Sequence, residues 1–246
     1  MALPKIDVPV YDCILPSNKK KVKFRPFLVK EQKILLMASE SVEVKDVVDS
    51  IKQVVKNCVL DDIDVDALPV FDLEFLFLNL RARSVSEVVK VKYKCNNVIE
   101  PAGIDEEEKR CGNIVDIEVN VLEINPVFGE NHTNNIQLTD KLGIVFTYPT
   151  FEVIESMADK EENDAIFSLI TKCVDYIYDD ENMYYAKDIT EDEIVDFIDG
   201  LTQEHLEKIK EFFDSMPKVK KTVSFDCNKC GHHEDIEIEG VQNFFV

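Results

Sequence analysis

Apolar and polar positions change their period several times along the chain, and each change marks an expected element. Pro4, Pro9, Pro16 and Pro26 keep residues 1–29 extended or irregular. From Lys30 the run EQKILLMASE turns helical. Val47, Val48, Ile51, Val54, Val55, Cys58 and Val59 then recur at i, i+3 and i+4, which predicts a helix over 46–60 with Cys58 in its buried stripe. FDLEFLFLNLRAR (71–83) is apolar around most of its circumference and reads as a buried central helix. The acidic stretch before it is a solvated turn. It is not a calcium loop, because Ala67 and Leu73 stand where an EF-hand needs glycine and a bidentate glutamate.

A period of two follows. Val89, Val91, Tyr93 and Cys95 alternate with Lys90, Lys92 and Lys94, and Val115, Ile117, Val119 and Val121 alternate with Asp116, Glu118 and Asn120. Two such strands side by side would pair lysines with carboxylates. Residues 125–142 read as a polar loop, and GIVFTYPTF as a strand ended by Pro149. The chain then reads helical to Met216, with Ile166, Ile170, Cys173, Val174 and Ile177 facing the core. Thr190 with Glu193 forms a capping box before a helix at 191–199. Thr202 opens a helix that Pro217 stops. Strands return at 219–226 and 234–239, and the closing Phe244-Phe245 pair is expected to dock in a groove.

The predicted fold class is α+β, with helical segments flanking a small antiparallel sheet. The expected regions are 1–86 (an extended arm plus helices), a discontinuous β region at 87–123 and 218–240, and 124–217 (loop, strand and helices).

Charge narrows the choice of function. The 246 residues hold 28 Lys and Arg against 49 Asp and Glu, a net charge of −21. Such a polyanion is repelled by nucleic acid and by anionic membranes, so protein partners are expected. The basic cluster Lys19, Lys20, Lys21, Lys23 and Arg25 reads as a solvated strand or docking segment. No stretch approaches the roughly 20 apolar residues of a bilayer span. The N-terminus lacks the pattern of a secretory signal. Seven cysteines, an odd number, in a reducing compartment argue against a disulfide framework.

Four of those cysteines carry the candidate chemistry. VKVKYKC ends at Cys95 and a second piece opens at Cys111-Gly112. KTVSFDC ends at Cys227, with Cys230-Gly231 after a two-residue gap. Each half reads strand, cysteine, gap, Cys-Gly, strand. The CNKCG piece has the knuckle spacing of zinc ribbons, and glycine after the second cysteine permits the left-handed turn that closes a knuckle. Cys95, Cys111, Cys227 and Cys230 are therefore the expected ligands of one structural Zn²⁺ in a discontinuous, zinc-ribbon-like four-cysteine site. Residues 96–110 would loop out between two of the ligands. His232 or His233 replacing one cysteine is the alternative ligation, and ordinary buried cysteines without metal the third reading. A closed four-ligand site leaves no position for substrate. No phosphate loop, dinucleotide fingerprint, nucleophile elbow or HExxH is present, so no enzyme is expected.

The segments ILPSNKKKVKFRPFLVKEQKILLMA (14–38), FDLEFLFLNLRARSVSE (71–87) and FDCNKCGH with the terminal FF resemble the T4-type bacteriophage baseplate hub assembly proteins. The resemblance implies a non-enzymatic role in building the tail, with other baseplate hub or tail proteins as partners. It also implies a location in the host cytoplasm during assembly and, if retained, in the tail baseplate. A cellular zinc-ribbon adaptor, for example one associated with transcription, is the alternative.

Overall fold

A computed structural model describes residues 7–41, 43–100 and 108–240. The chain opens with strands β1 (Tyr11–Ile14) and β2 (Lys21–Phe24), then helices α1 (Val29–Ala38), α2 (Val44–Cys58) and α3 (Val70–Ser84). Strands β3 (Val88–Lys94), β4 (Val98–Glu100), β5 (Lys109–Arg110), β6 (Ile114–Asn120), β7 (Asn135–Gln137) and β8 (Gly143–Phe146) follow. After α4 (Phe151–Glu155) and α5 (Glu162–Lys172) come β9 (Val174–Tyr178) and β10 (Met183–Tyr185). The chain closes with α6 (Glu191–Asp199), α7 (Gln203–Asp214), β11 (Lys220–Asp226) and β12 (His233–Glu239). The fold is α+β with small antiparallel sheets. It divides into two units. The first takes Met1–Ile63, Glu74–Pro126 and Lys218–Val246; the second takes Asp64–Leu73 and Val127–Pro217.

In the first unit, the stretch read as extended or irregular is a hairpin. Val22 and Phe24 turn inward at 0% and 1% exposure while Lys21 and Lys23 point out, and Lys21 pairs with Asp12 at 2.9 Å. Lys21 and Lys23 of the basic cluster are thus the outer face of β2, and Lys19 and Lys20 stand exposed in the turn before it. Arg25 is the cluster's exception: it turns inward to Glu31, a carboxylate with no exposed surface. The stripe of α2 packs as its period requires, with Ile51, Val54, Val55 and Cys58 at 1% exposure or less. Burial lifts the Cys58 thiol to about 11, as fits a core cysteine. Helix α3 buries Leu76, Phe77, Leu78 and Leu80 completely. Strands β3 and β6 pair antiparallel with Lys90 opposite Glu118, and their side chains meet at 3.3 Å.

The second unit holds a four-stranded sheet ordered β10-β9-β8-β7 with helices on one face. This unit departs from the sequence expectation in three places. The loop at 125–142 contains β7, whose Ile136 is buried. The continuous helix through Ile177 stops at Lys172, and Val174–Tyr178 is an inner strand between β8 and β10. Apolar spacing across 166–177 fits a helix, but four of the five residues of VDYIY are β-branched or aromatic, and Ile177 packs on Ile144 as the sheet requires. The strand at 143 is also shorter than read. Phe151 starts a helix that the Thr150 hydroxyl caps by accepting from the Val153 amide. Both later helices begin where their capping threonines predicted, and Glu193 returns a carboxylate bond to the Thr190 amide at 2.8 Å. The expected docking of Phe244-Phe245 lies outside the described residues.

The core of this unit stacks Phe146, Phe212, Tyr148 and His132. Ser215 Oγ donates to the Glu211 carbonyl at 2.6 Å, so it accepts from His132 Nδ1–H at 2.9 Å. Tyr148 Oη then donates to Nε2 at 2.9 Å. Both ring nitrogens are satisfied with the ring neutral, and desolvation holds the His132 pKa below 6.5. Unfolding releases that constraint, so the unfolded chain binds more protons just below 6.5. The contribution of His132 is complete above about 6.5 and is lost as pH falls through the folded value. Urea unfolding at about pH 7.5 and about pH 5.5 should show a smaller acid loss in His132→Gln than in the parent chain. Equal losses would refute this account.

Candidate metal centre

Strands β3 and β6 form one hairpin of the first unit and β11 and β12 another. Tyr93 of β3 packs on Phe225 of β11 at 5.0 Å between ring centres, and its hydroxyl donates to Glu234 at 3.1 Å. Lys221 of β11 reaches Glu123 at 3.2 Å. These contacts bring together the ends of both hairpins, and with them Cys95, Cys111, Cys227 and Cys230.

The four Sγ atoms lie within 4.8 Å of one another, with Cys95–Cys230 at 3.8 Å and Cys111–Cys227 at 3.7 Å. A Zn–S bond of about 2.3 Å gives a tetrahedron whose S···S edge is about 3.8 Å. A disulfide would need about 2.05 Å. The donor set and its spacing therefore fit a tetrahedral thiolate-bound metal. Cys95, Cys111 and Cys227 are buried, and Cys230 is half-buried.

The backbone shows why two unlike sequences make matching halves. In CNKCG, the Gly231 amide donates to the Cys227 carbonyl at 2.8 Å and the Cys227 amide to the His232 carbonyl at 2.8 Å. In the other half, the Gly112 amide donates to the Cys95 carbonyl at 3.0 Å and the Cys95 amide to the Asn113 carbonyl at 2.8 Å. The bonding is equivalent: first cysteine to the glycine after the second, and to the residue beyond. Gly112 (φ 65°) and Gly231 (φ 70°) both sit in the left-handed region that a Cβ disfavours. Residues 96–110 stand where Asn228 and Lys229 stand in the compact knuckle, yet the turn closes around them. The described flanks of this excursion pair as β4 and β5, with Lys109 on Glu100 at 2.8 Å.

Electrostatics in the cluster is divided. The Cys230 and Lys229 amides donate toward Cys227 and draw its thiol down to about 6. The Asn97 amide favours thiolate at Cys95, but burial and the neighbouring thiols prevail and push it up to about 12. At Cys111 the Asn113 amide pulls the same way, and burial with the neighbouring thiols again raises the group. Four sulfurs at this spacing do not all ionise beside one another without a cation among them.

The histidines stand aside from the cluster. His233 Nδ1 meets Asp226 at 2.8 Å, and His232 faces Glu234 at 3.8 Å. Two side chains that the sequence reading missed aim at the sulfurs: Asn113 Nδ2 toward Cys227 at 3.5 Å and Asn97 Nδ2 toward Cys230 at 3.7 Å. The repeated Cys-x-Asn of 95–97 and 111–113 was the available signal. Among the described residues, this is the one group of three or more potential metal ligands whose donor atoms converge, and no helix is long and apolar enough to cross a membrane. Cys173, burial-shifted to about 12, belongs to the second unit's core.

Such features define an α+β protein of two units, one of them closed by a four-cysteine cluster. The family described as "T4 bacteriophage base plate protein" matches residues 8–246, and the chain belongs to it. It is therefore a phage baseplate protein, and its place is the virion tail among other tail proteins. No curated protein and no solved structure matches the chain.

Proposed function

We propose that this protein is a non-enzymatic assembly component of the baseplate hub. In this reading it binds other hub or tail proteins while tails are built in the host cytoplasm, and one Zn²⁺ held by Cys95, Cys111, Cys227 and Cys230 fixes its first unit. Membership in the baseplate family across residues 8–246 carries the assembly role. The convergence of four Sγ atoms within 4.8 Å supports the metal. The ion would supply folding free energy by joining two hairpins distant in sequence. A closed set of four protein ligands offers no coordination site to a substrate. The family does not favour a cellular zinc-ribbon adaptor, and the charge of −21 opposes a nucleic-acid face.

The test is a phage carrying an amber stop in this gene. Under non-permissive growth, lysates should contain heads and unassembled tail proteins but no complete baseplates, and adding purified protein to the lysate should restore them. Normal tails in its absence would overturn the reading.

A further inference from the structure

Net charge is divided very unevenly between the two units. The second holds 25 Asp and Glu against six Lys and no Arg, a net −19. The first holds 24 acidic against 22 basic residues, a net −2. Within the second unit, the sheet has one face in the core and one outside. Tyr184, Ile177, Ile144 and Ile136 lie opposite one another across the four strands, and the three isoleucines are buried under the helices. Residues one step along the strands point the other way. They include Met183 opposite Tyr178 and Tyr185 opposite Tyr176.

Three tyrosines and a methionine thus lie on the other face, beside a buried Val145 opposite Tyr176. Met183 is 58% and Tyr185 39% exposed, and Tyr176 and Tyr178 are half-buried. Tyr176 lies 5.4 Å from Tyr185 and 6.3 Å from Tyr178, which makes a continuous aromatic row. The row is held in place. The Tyr178 ring lies over Gly143, where a Cβ would collide with it, and its hydroxyl donates to Asn135 at 2.9 Å. Tyr185 already takes a cation on its ring, with Lys187 Nζ 5.3 Å from its centre. Beside the row the β9–β10 turn carries Asp179, Asp180 and Glu181; Asp180 pairs with Lys141 at 2.7 Å, an exposed contact that a partner's cation can replace. Strand β10, three residues long, is also an edge of this sheet.

Exposed tyrosine and methionine are what protein interfaces concentrate at their centres. The acidic surroundings select the occupant. A second copy would set −19 against −19, and a nucleic acid would bring phosphates to carboxylates. We infer that the outer face of the β7–β10 sheet docks a lysine- and arginine-rich surface of another baseplate protein. Its cations would stack on Tyr176 and Tyr185 and pair with the rim carboxylates. This rests on the proposed role in baseplate assembly and adds the surface and the chemistry of the partner.

The test uses the full-length protein against each purified baseplate and tail protein of the same phage, by biolayer interferometry. At least one with a basic surface should bind. The Tyr176→Ser/Tyr185→Ser variant should weaken that binding about tenfold or more, as loss of interface tyrosines does. Raising NaCl from about 50 to about 300 mM should weaken it further. Should the tyrosine variant not fold, Asp180→Asn/Glu181→Gln in the exposed turn reads the same face and should also lose affinity. Leu36→Ser/Met37→Ser, on the exposed side of α1, should bind as the parent does. Binding that survives both sheet-face changes, or that is lost through the α1 change, overturns the inference and leaves the assembly role standing. Capture of a second copy or of a DNA oligonucleotide by this face also overturns it. Failure to bind any baseplate or tail protein overturns the assembly reading, and the inference falls with it.

Discussion

Cys227→Ser is expected to take bound zinc from about one ion per chain to none and to unfold the first unit at temperatures the parent chain withstands. A serine hydroxyl stays protonated where a thiolate is needed. Three remaining sulfurs would sit within 4.8 Å of one another in a buried space without a cation. Structural zinc in small domains is worth about 10–16 kcal/mol. Plasma emission analysis of purified protein and a thermal melt, each with and without chelator, read the effect. Parent protein that contains no metal, with four freely titrating thiols at these positions, would remove the site altogether. His232→Ala and His233→Ala, by contrast, should retain the ion, because both rings face carboxylates rather than the sulfurs.

The second large effect is expected at Arg25. Its guanidinium donates to Glu31 at 3.1 Å and to the Asn57 carbonyl at 2.8 Å, and so ties the segment after β2 to the start of α1 and the end of α2. Glu31 also accepts the Leu28 amide at 2.9 Å, at the first turn of α1. Burial alone would raise its pKa. Bonds from Arg25 and Leu28, with Lys30 nearby, hold it below the usual 4.5. Arg25→Ala leaves that carboxylate buried with Lys30 as its nearest cation, which should destabilise the chain by about 3 kcal/mol near neutral pH. Replacing both partners, as Arg25→Met/Glu31→Leu, should recover most of the loss. Glu31 is a carboxylate depressed in the folded state. Its contribution is complete above about pH 4.5 and disappears as pH falls through the folded value, so the gap between Arg25→Ala and the parent chain should narrow in acid. Urea titrations at about pH 7 and about pH 4 measure it, and a gap of constant size would contradict the assignment.

What could be read from the residues was whatever they specify locally. Thr190 and Thr202 mark helix starts because a cap depends on a few adjacent positions, and the α2 stripe is legible because one face alone is buried. The four cysteines were legible because each half carries Cys-Gly at a strand end, although their pairing spans most of the chain. Elements decided by distant neighbours were harder. Val174–Tyr178 satisfies a helical and a strand period together, and burial between β8 and β10 decides between them. Strand β7 has three residues with one apolar side chain, too little pattern to detect. The hairpin at 11–24 hides behind prolines that permit extended chain but do not reveal its pairing. The division of charge was invisible for another reason: −21 is a single number until the fold assigns 64–73 and 127–217 to one body.

The split knuckle also sets a schedule for synthesis. Cys95 leaves the ribosome 135 residues ahead of Cys230. At about 5–20 residues per second that interval lasts roughly 7 to 27 s. Once Cys111 has followed, the two cysteines are an open half-site with no opposing hairpin, and the whole of 127–217 is made and can fold as an insert within an unfinished host. The first unit is completed only when the segment from Lys218 onward arrives, so a nascent chain cut short before Cys227 is missing both of the hairpin's cysteines, whatever the state of its second unit.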